Sequence, residues 1–152
     1  MNMYDGPLYI AADHGGYKLK KRLVRYIENE LHRPVEDLGA HTYDETDDYP
    51  DYILPCAERA TETGGRCIVI GGSGNGEVIA ANKVHGMRCA LAHSVWTAEY
   101  ARRHNDANGL ALGGRVLTED HAMAIVKTWL ETDFEEGKYQ TRIDKVNAYE
   151  SR

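Results

Sequence analysis

One stretch limits what this chain can fold into more than any other: Arg66-Cys67-Ile68-Val69-Ile70-Gly71-Gly72-Ser73-Gly74-Asn75-Gly76-Glu77-Val78-Ile79-Ala80-Ala81-Asn82-Lys83. An apolar run of strand length leads into a loop where glycine nearly alternates with small polar residues, and then into a helix-forming segment. Glycines permit positive φ and let backbone N–H groups approach a ligand closely, while the first turn of the next helix adds partial positive charge. Gly72, Gly74, Asn75 and Gly76 are therefore suited to cradling a phosphate or another oxyanion. The loop departs from the dinucleotide fingerprint G-x-G-x-x-G and lacks the closing Gly-Lys-Ser/Thr of a P-loop, so nucleotide readings fit poorly. It carries a carboxylate instead. Glu77 is either an ordinary favourable charge in a first helical turn or a functional base.

The remaining elements follow from periodicity. Leu8 to Ala12 is a buried strand stopped by Asp13-His14-Gly15-Gly16. Leu19, Leu23, Ile27 and Leu31 recur every fourth residue and predict an amphipathic helix, with Lys18, Lys20, Lys21, Arg22 and Arg25 on its solvated face. Pro34 to Leu38 predicts a second strand, and Asp44 to Asp51 an acidic surface loop. Tyr49-Pro50 opens a helix with Ile53, Cys56, Ala57 and Ala60 inward, closed by Gly64-Gly65. After the central unit come a strand over Met87 to Ala92, a helix capped by Ser94, a strand over Asn108 to Leu112, a helix capped by Thr118 and a last helix over about 138–150. Asn82 and Lys83 read as helix-packing or C-cap residues. Five strands alternating with helices predict an α/β fold: a three-layer α/β/α sandwich around a Rossmann-like five-stranded parallel sheet.

Composition narrows the partners. At 152 residues with 42% hydrophobic residues, the chain suits one domain with its own core. A net charge of -6 argues against general binding to nucleic acid or anionic membranes but allows a small anionic ligand. No apolar run approaches the roughly 18 residues a membrane helix needs, and no signal peptide is visible. Cys56, Cys67 and Cys89 have no metal-ligand spacing and read as buried free thiols of a reducing, cytoplasmic compartment.

In a parallel sheet the ligand site lies beyond the carboxyl ends of the strands, at a topological switch point. Asp13-His14, the glycine loop and Arg115 should share that edge. His104 and Asn105 end a helix, which places them at the opposite edge of their own subunit, so they reach such a site only from a partner copy. Lys138 and Arg142 are four residues apart on one face of the last helix, a pairing able to grip a phosphate.

Asp13-His14-Gly15-Gly16, Asp48-Tyr49-Pro50, the loop Gly72 to Glu77 with Ile79 to Lys83, Arg103-His104-Asn105-Asp106, Gly113-Gly114-Arg115 and Gln140-Thr141-Arg142-Ile143 resemble, in order and spacing, the type B ribose-5-phosphate isomerase family, with its related galactose- and allose-6-phosphate isomerases. The match covers nearly the whole chain. The resemblance implies an aldose–ketose isomerase working through an enediolate on ribose 5-phosphate, without metal or nucleotide cofactor. It also implies a homodimer or dimer of dimers with shared sites, the last helix contributing to both interface and phosphate site.

Many family members use a cysteine at the residue ending the third strand, where this chain has Gly71. The sequence therefore resembles the subgroup whose base is a glutamate, here Glu77. By the same resemblance Ser73 relays a proton between the sugar's O1 and O2, His104 opens the furanose ring, Asp13 holds the ring hydroxyl or orients His104, Asn105 holds hydroxyls, and His14, Arg115, Lys138 and Arg142 hold phosphate. Each has a plainer alternative: turn residue for Ser73, loop formers for Asp13 and His14, helix-end residues for His104 and Asn105. Lys138 stands where the family usually has arginine, and Tyr139, where histidine is common, reads as packing. Tyr49 is either a pocket wall or structural. Two alternatives for the whole protein are a hexose 6-phosphate isomerase and a phosphometabolite-binding domain without turnover.

Overall fold

The computed structural model describes residues 2–152. Strands β1 (Leu8–Ala12), β2 (Glu36–Asp37), β3 (Arg66–Gly71), β4 (Cys89–Leu91) and β5 (Gly109–Gly113) alternate with helices α1 (Tyr17–Arg25), α2 (Pro50–Thr63), α3 (Asn75–Ala81), α4 (Val95–Asn105) and α5 (Glu119–Glu131), and α6 (Lys138–Glu150) follows. All five strands are parallel, in the order β2-β1-β3-β5-β4. This is the expected α/β sandwich. α1, α4 and α5 cover one face through Leu23, Ala98, Ile125 and Trp129. α2 and α3 cover the other through Ile53, Cys56, Ala57 and Ala80. α6 packs against α4.

Local rules account for several helix ends. Ser94 and Thr97 form a reciprocal capping box on α4, Thr118 caps α5, and Gly64 in the left-handed conformation ends α2. Asn82 ends α3, and its amide bonds both the N–H and the carbonyl of Cys89, tying that helix to β4. The three cysteines are buried free thiols.

The structure corrects three sequence readings. β2 is only Glu36–Asp37, because Pro34 brings no N–H and the chain then bonds to β1 irregularly through Leu38, Gly39 and Ala40. α1 passes into a π-helical turn over Tyr26–Glu30, which leaves Leu31 outside the helix. Lys20 is not solvated. It is 1% exposed, and its ammonium donates to Asp37 Oδ1 at 2.8 Å and to the Ala40 carbonyl. Like charges spaced along α1 cost a few tenths of a kcal/mol each, whereas burying Leu19, Leu23 and Ile27 gains about 1.5–3 kcal/mol apiece. The apolar stripe therefore sets the helix's orientation, and Lys20 is carried inward onto a partner waiting at the end of β2.

Candidate active site

β1 and β3 are neighbours in the sheet, yet the helices that follow them, α1 and α3, lie on opposite faces. Their loops diverge, and the crevice between them is the switch point. Register brings a third loop to the same level: Ala12 pairs with Ile70, and Gly71 with Gly113. The three turns pack backbone on backbone. A Cβ at Gly15 would lie 2.7 Å from the Gly72 nitrogen, so this approach requires glycine. Gly114 N donates to Gly71 O at 2.7 Å and Arg115 N to Gly72 O at 2.9 Å, which seats the Arg115 side chain against Gly72.

Glu77 stands in the first turn of α3, after Gly74 at φ 86°, and its side chain turns back toward β3. The residue is 4% exposed. Its carboxylate fills the space beside Gly71, where any side chain, a cysteine included, would overlap it. Burial raises its pKa above the ordinary glutamate value; the Asp13 charge adds to the rise and His14 opposes it. A carboxylate stripped of water in this way is a stronger base than one in solvent. The ring of Tyr49 lies against Gly76 and buttresses the loop from the α2 side.

The other loop residues show local duties. Ser73 is exposed, and its Oγ accepts from Asn75 N at 3.2 Å, the turn role the sequence left open. Asp13, 8% exposed, accepts from Gly15 N at 2.9 Å through Oδ1. His14 is gripped by a residue that sequence reasoning missed. Asp47 Oδ1 accepts from both the His14 backbone N–H, at 3.1 Å, and its Nδ1, at 2.6 Å. This hydrogen bond is the main cause of a raised His14 pKa. The expected acidic surface loop therefore sends one of its members into the site. Nothing in the run Asp44, Asp47, Asp48, Asp51 marks which one.

Asp13, His14 and Asp47 are the one group of potential metal ligands among the described residues. Two ligands at about 2.1 Å from a tetrahedral ion stand ~3.4 Å apart. The 2.6 Å between Nδ1 and Oδ1 is instead the separation of a shared proton. His14 and Asp47 are a hydrogen-bonded pair, with Asp13 Oδ2 4.0 Å from the His14 Nδ1.

The remaining candidates assemble elsewhere. α4 starts beyond the carboxyl end of β4 and ends at the amino edge, where Arg88, just before β4, donates to the Asn105 carbonyl at 3.0 Å. His104 stacks on Tyr139 of α6, ring centroids 4.0 Å apart and planes within 10°, with Tyr100 edge-on at 4.8 Å. Lys138 and Arg142 each lie 5.3 Å from the Tyr139 centroid. The chain thus builds two groups of candidates at opposite edges of one sheet, as the topology required.

The Ribose/Galactose Isomerase family model matches residues 8–146. The chain belongs to this family. Ribose-5-phosphate isomerase B of Mycobacterium tuberculosis is 47% identical over 145 residues, covering 94% of this chain and 89% of the relative. The Mycobacterium leprae enzyme of that name is 45% identical over 145 residues, again covering 94% and 89%. Among solved structures of the family, ribose-5-phosphate isomerase B from Mycoplasma genitalium with bound ribulose-5-phosphate matches with a TM-score of 0.93 at 38% identity, covering 96% of this chain and 97% of that one. The Clostridium thermocellum protein matches with a TM-score of 0.90 at 43% identity, covering 95% and 97%. The fold is therefore shared with these structures over nearly the whole chain.

Proposed function

We propose that this family member interconverts ribose 5-phosphate and ribulose 5-phosphate through an enediolate, with Glu77 as the base. The observation that carries the reading is the seat of Glu77: a buried carboxylate of raised pKa, held beside Gly71 at the switch-point crevice. In the forward direction Glu77 takes the proton from C2 of the open-chain aldose, electrons move to O1, and the proton returns to C1 while O2 becomes the ketone. Loop N–H groups from Gly72 to Gly76 stabilise the enediolate, a term of about 10²–10³-fold in rate. Ser73 relays the proton between O1 and O2, and Asp13 holds a hydroxyl. His14 and Arg115 hold phosphate at this edge. A carboxylate and fixed dipoles suffice for this chemistry, so no cofactor is invoked.

His104, for ring opening, and Asn105, Lys138 and Arg142, for hydroxyls and phosphate, come in this reading from a second copy. Residues 1–152 act as one domain whose α6 serves the neighbouring site. The exposed Ile79 on α3 and Val146 and Tyr149 on α6, at 59%, 61% and 69%, supply apolar surface for a homodimer. No helix among the described residues is long and apolar enough to cross a membrane, and the three buried thiols fit a reducing, cytoplasmic setting.

Glu77→Gln tests the assignment: kcat should fall by about 10²–10⁴-fold while inorganic phosphate still binds, and near-normal turnover would remove Glu77 as base. Comparing kcat/KM on ribose 5-phosphate with allose and galactose 6-phosphates decides between pentose and hexose substrates.

A further inference from the structure

We infer that Asp47 is a positioning residue for the anion site: it holds His14 by backbone and ring together, so that the imidazole presents Nε2–H as a cation to the substrate's phosphate. This rests on the isomerase reading for the identity of the anion, and on the geometry alone for the dyad.

The grip is specific. One oxygen, Asp47 Oδ1, receives the His14 N–H and the Nδ1 proton, which fixes both the position of the residue and the rotation of its ring. With Nδ1 committed, Nε2 is the only nitrogen left to face a ligand. The second oxygen, Oδ2, is buried without a hydrogen-bond partner, on a side chain only 5% exposed. A buried carboxylate oxygen without a partner is held there at a cost. The tie to His14 offsets that cost. The loop is also anchored from beneath. Lys20 clamps Asp37 and Ala40 at its start, and Tyr43 packs edge-on to both His14, at 6.4 Å, and Tyr17, at 5.9 Å. Asp47 is therefore presented by fixed structure.

The charges around His14 set the sign of the effect. Asp47 and Asp13 favour the imidazolium; Arg115 disfavours it; Asp44 and Glu77 also sense the His14 charge. Because the folded pKa is raised, the cation persists to higher pH than in a free histidine, and the contribution to anion binding is lost as pH rises through that raised value.

Asp47→Asn keeps the size and one acceptor oxygen and removes the charge. The His14 imidazole, followed by NMR, should titrate at lower pH in the variant. A midpoint displaced by one unit changes the protonated fraction by up to about tenfold. Inorganic phosphate should accordingly bind up to about tenfold more weakly at a pH above the wild-type midpoint, and nearly as well as to the wild type at a pH below both midpoints. In a His14→Gln background the same change should have no further effect on phosphate binding. An unmoved His14 titration, an equal loss of binding at both pH values, or additive losses in the double variant would overturn the inference. None of these readouts uses turnover, so failure of the isomerase assignment would appear separately, in the Glu77→Gln assay.

Discussion

The two groups of candidate residues are built on different principles. At the carboxyl edge, main chain packs on main chain: Gly15 on Gly72, Gly114 bonded to Gly71, Glu77 and Asp13 almost fully buried. At the amino edge, side chains lean on side chains. His104, Lys138 and Arg142 all meet at the ring of Tyr139, and Lys138 and Arg142 are exposed. Backbone packing leaves little freedom to lose, which suits a base and its oxyanion donors, since misplacement by an ångström there is costly. Exposed cations on a helix surface keep their freedom until something covers them. The difference matches the proposed division of the site, in which one chain supplies the rigid half and a second copy the exposed half.

The contrast can be broken first at Gly71. The nearest atoms a methyl group there would meet are the carboxyl atoms of Glu77, the far end of a side chain that has to give way. Gly71→Ala should therefore fold with a melting temperature near that of the wild type. It should nevertheless lose turnover on the scale of removing a general base, about 10²–10⁴-fold, because the carboxylate has lost its seat. Near-normal turnover in a folded Gly71→Ala variant would show that the position of Glu77 is not decisive.

The division between the two edges is tested by complementation. Glu77→Gln and His104→Asn should each be nearly inactive alone on the furanose substrate. Mixed, unfolded and refolded together, random pairing gives half heterodimers, each with one intact site, so about a quarter of wild-type activity should return. Activity no higher than that of either parent would mean that Glu77 and His104 do not come from different subunits.

How much of this was legible in the sequence depends on what each feature rests on. The sheet, the crevice and the first-turn position of Glu77 follow from patterns with a period or a fixed spacing: the apolar runs, the glycine loop, the caps at Ser94 and Thr118. Even the separation of His104 from Glu77 follows from helices running opposite to the strands. What stayed hidden depends on pairing across long separations. Lys20 shares its helical pattern with Lys21, and only the carboxyl end of β2, seventeen residues on, makes one of them buried. Asp47 is one aspartate among several, singled out only by His14, thirty-three residues earlier. Tyr139 read as packing, and it is packing, but the partner that gives it weight is His104, on another helix. Periodicity reports which face is apolar; it carries no information about which polar residue finds a partner.

The smallest expected effect probes the exposed half. Lys138 holds its ammonium 5.3 Å from the Tyr139 ring centroid, where it can offer a phosphate a point charge but not the paired donors of a guanidinium. If α6 of one copy completes the phosphate site of the other, Lys138→Arg should lower KM for ribose 5-phosphate by about two- to fivefold through bidentate contact. The phosphate takes no part in proton transfer, so kcat should stay as it was. The effect should be small because an exposed side chain gives up rotamer freedom to make the contact, which offsets part of the gain. A KM that does not move would leave α6 as a packing element for α4 alone. A change in kcat would mean that Tyr139 transmits the substitution to His104, and that the amino-edge group is less loosely built than its exposure implies.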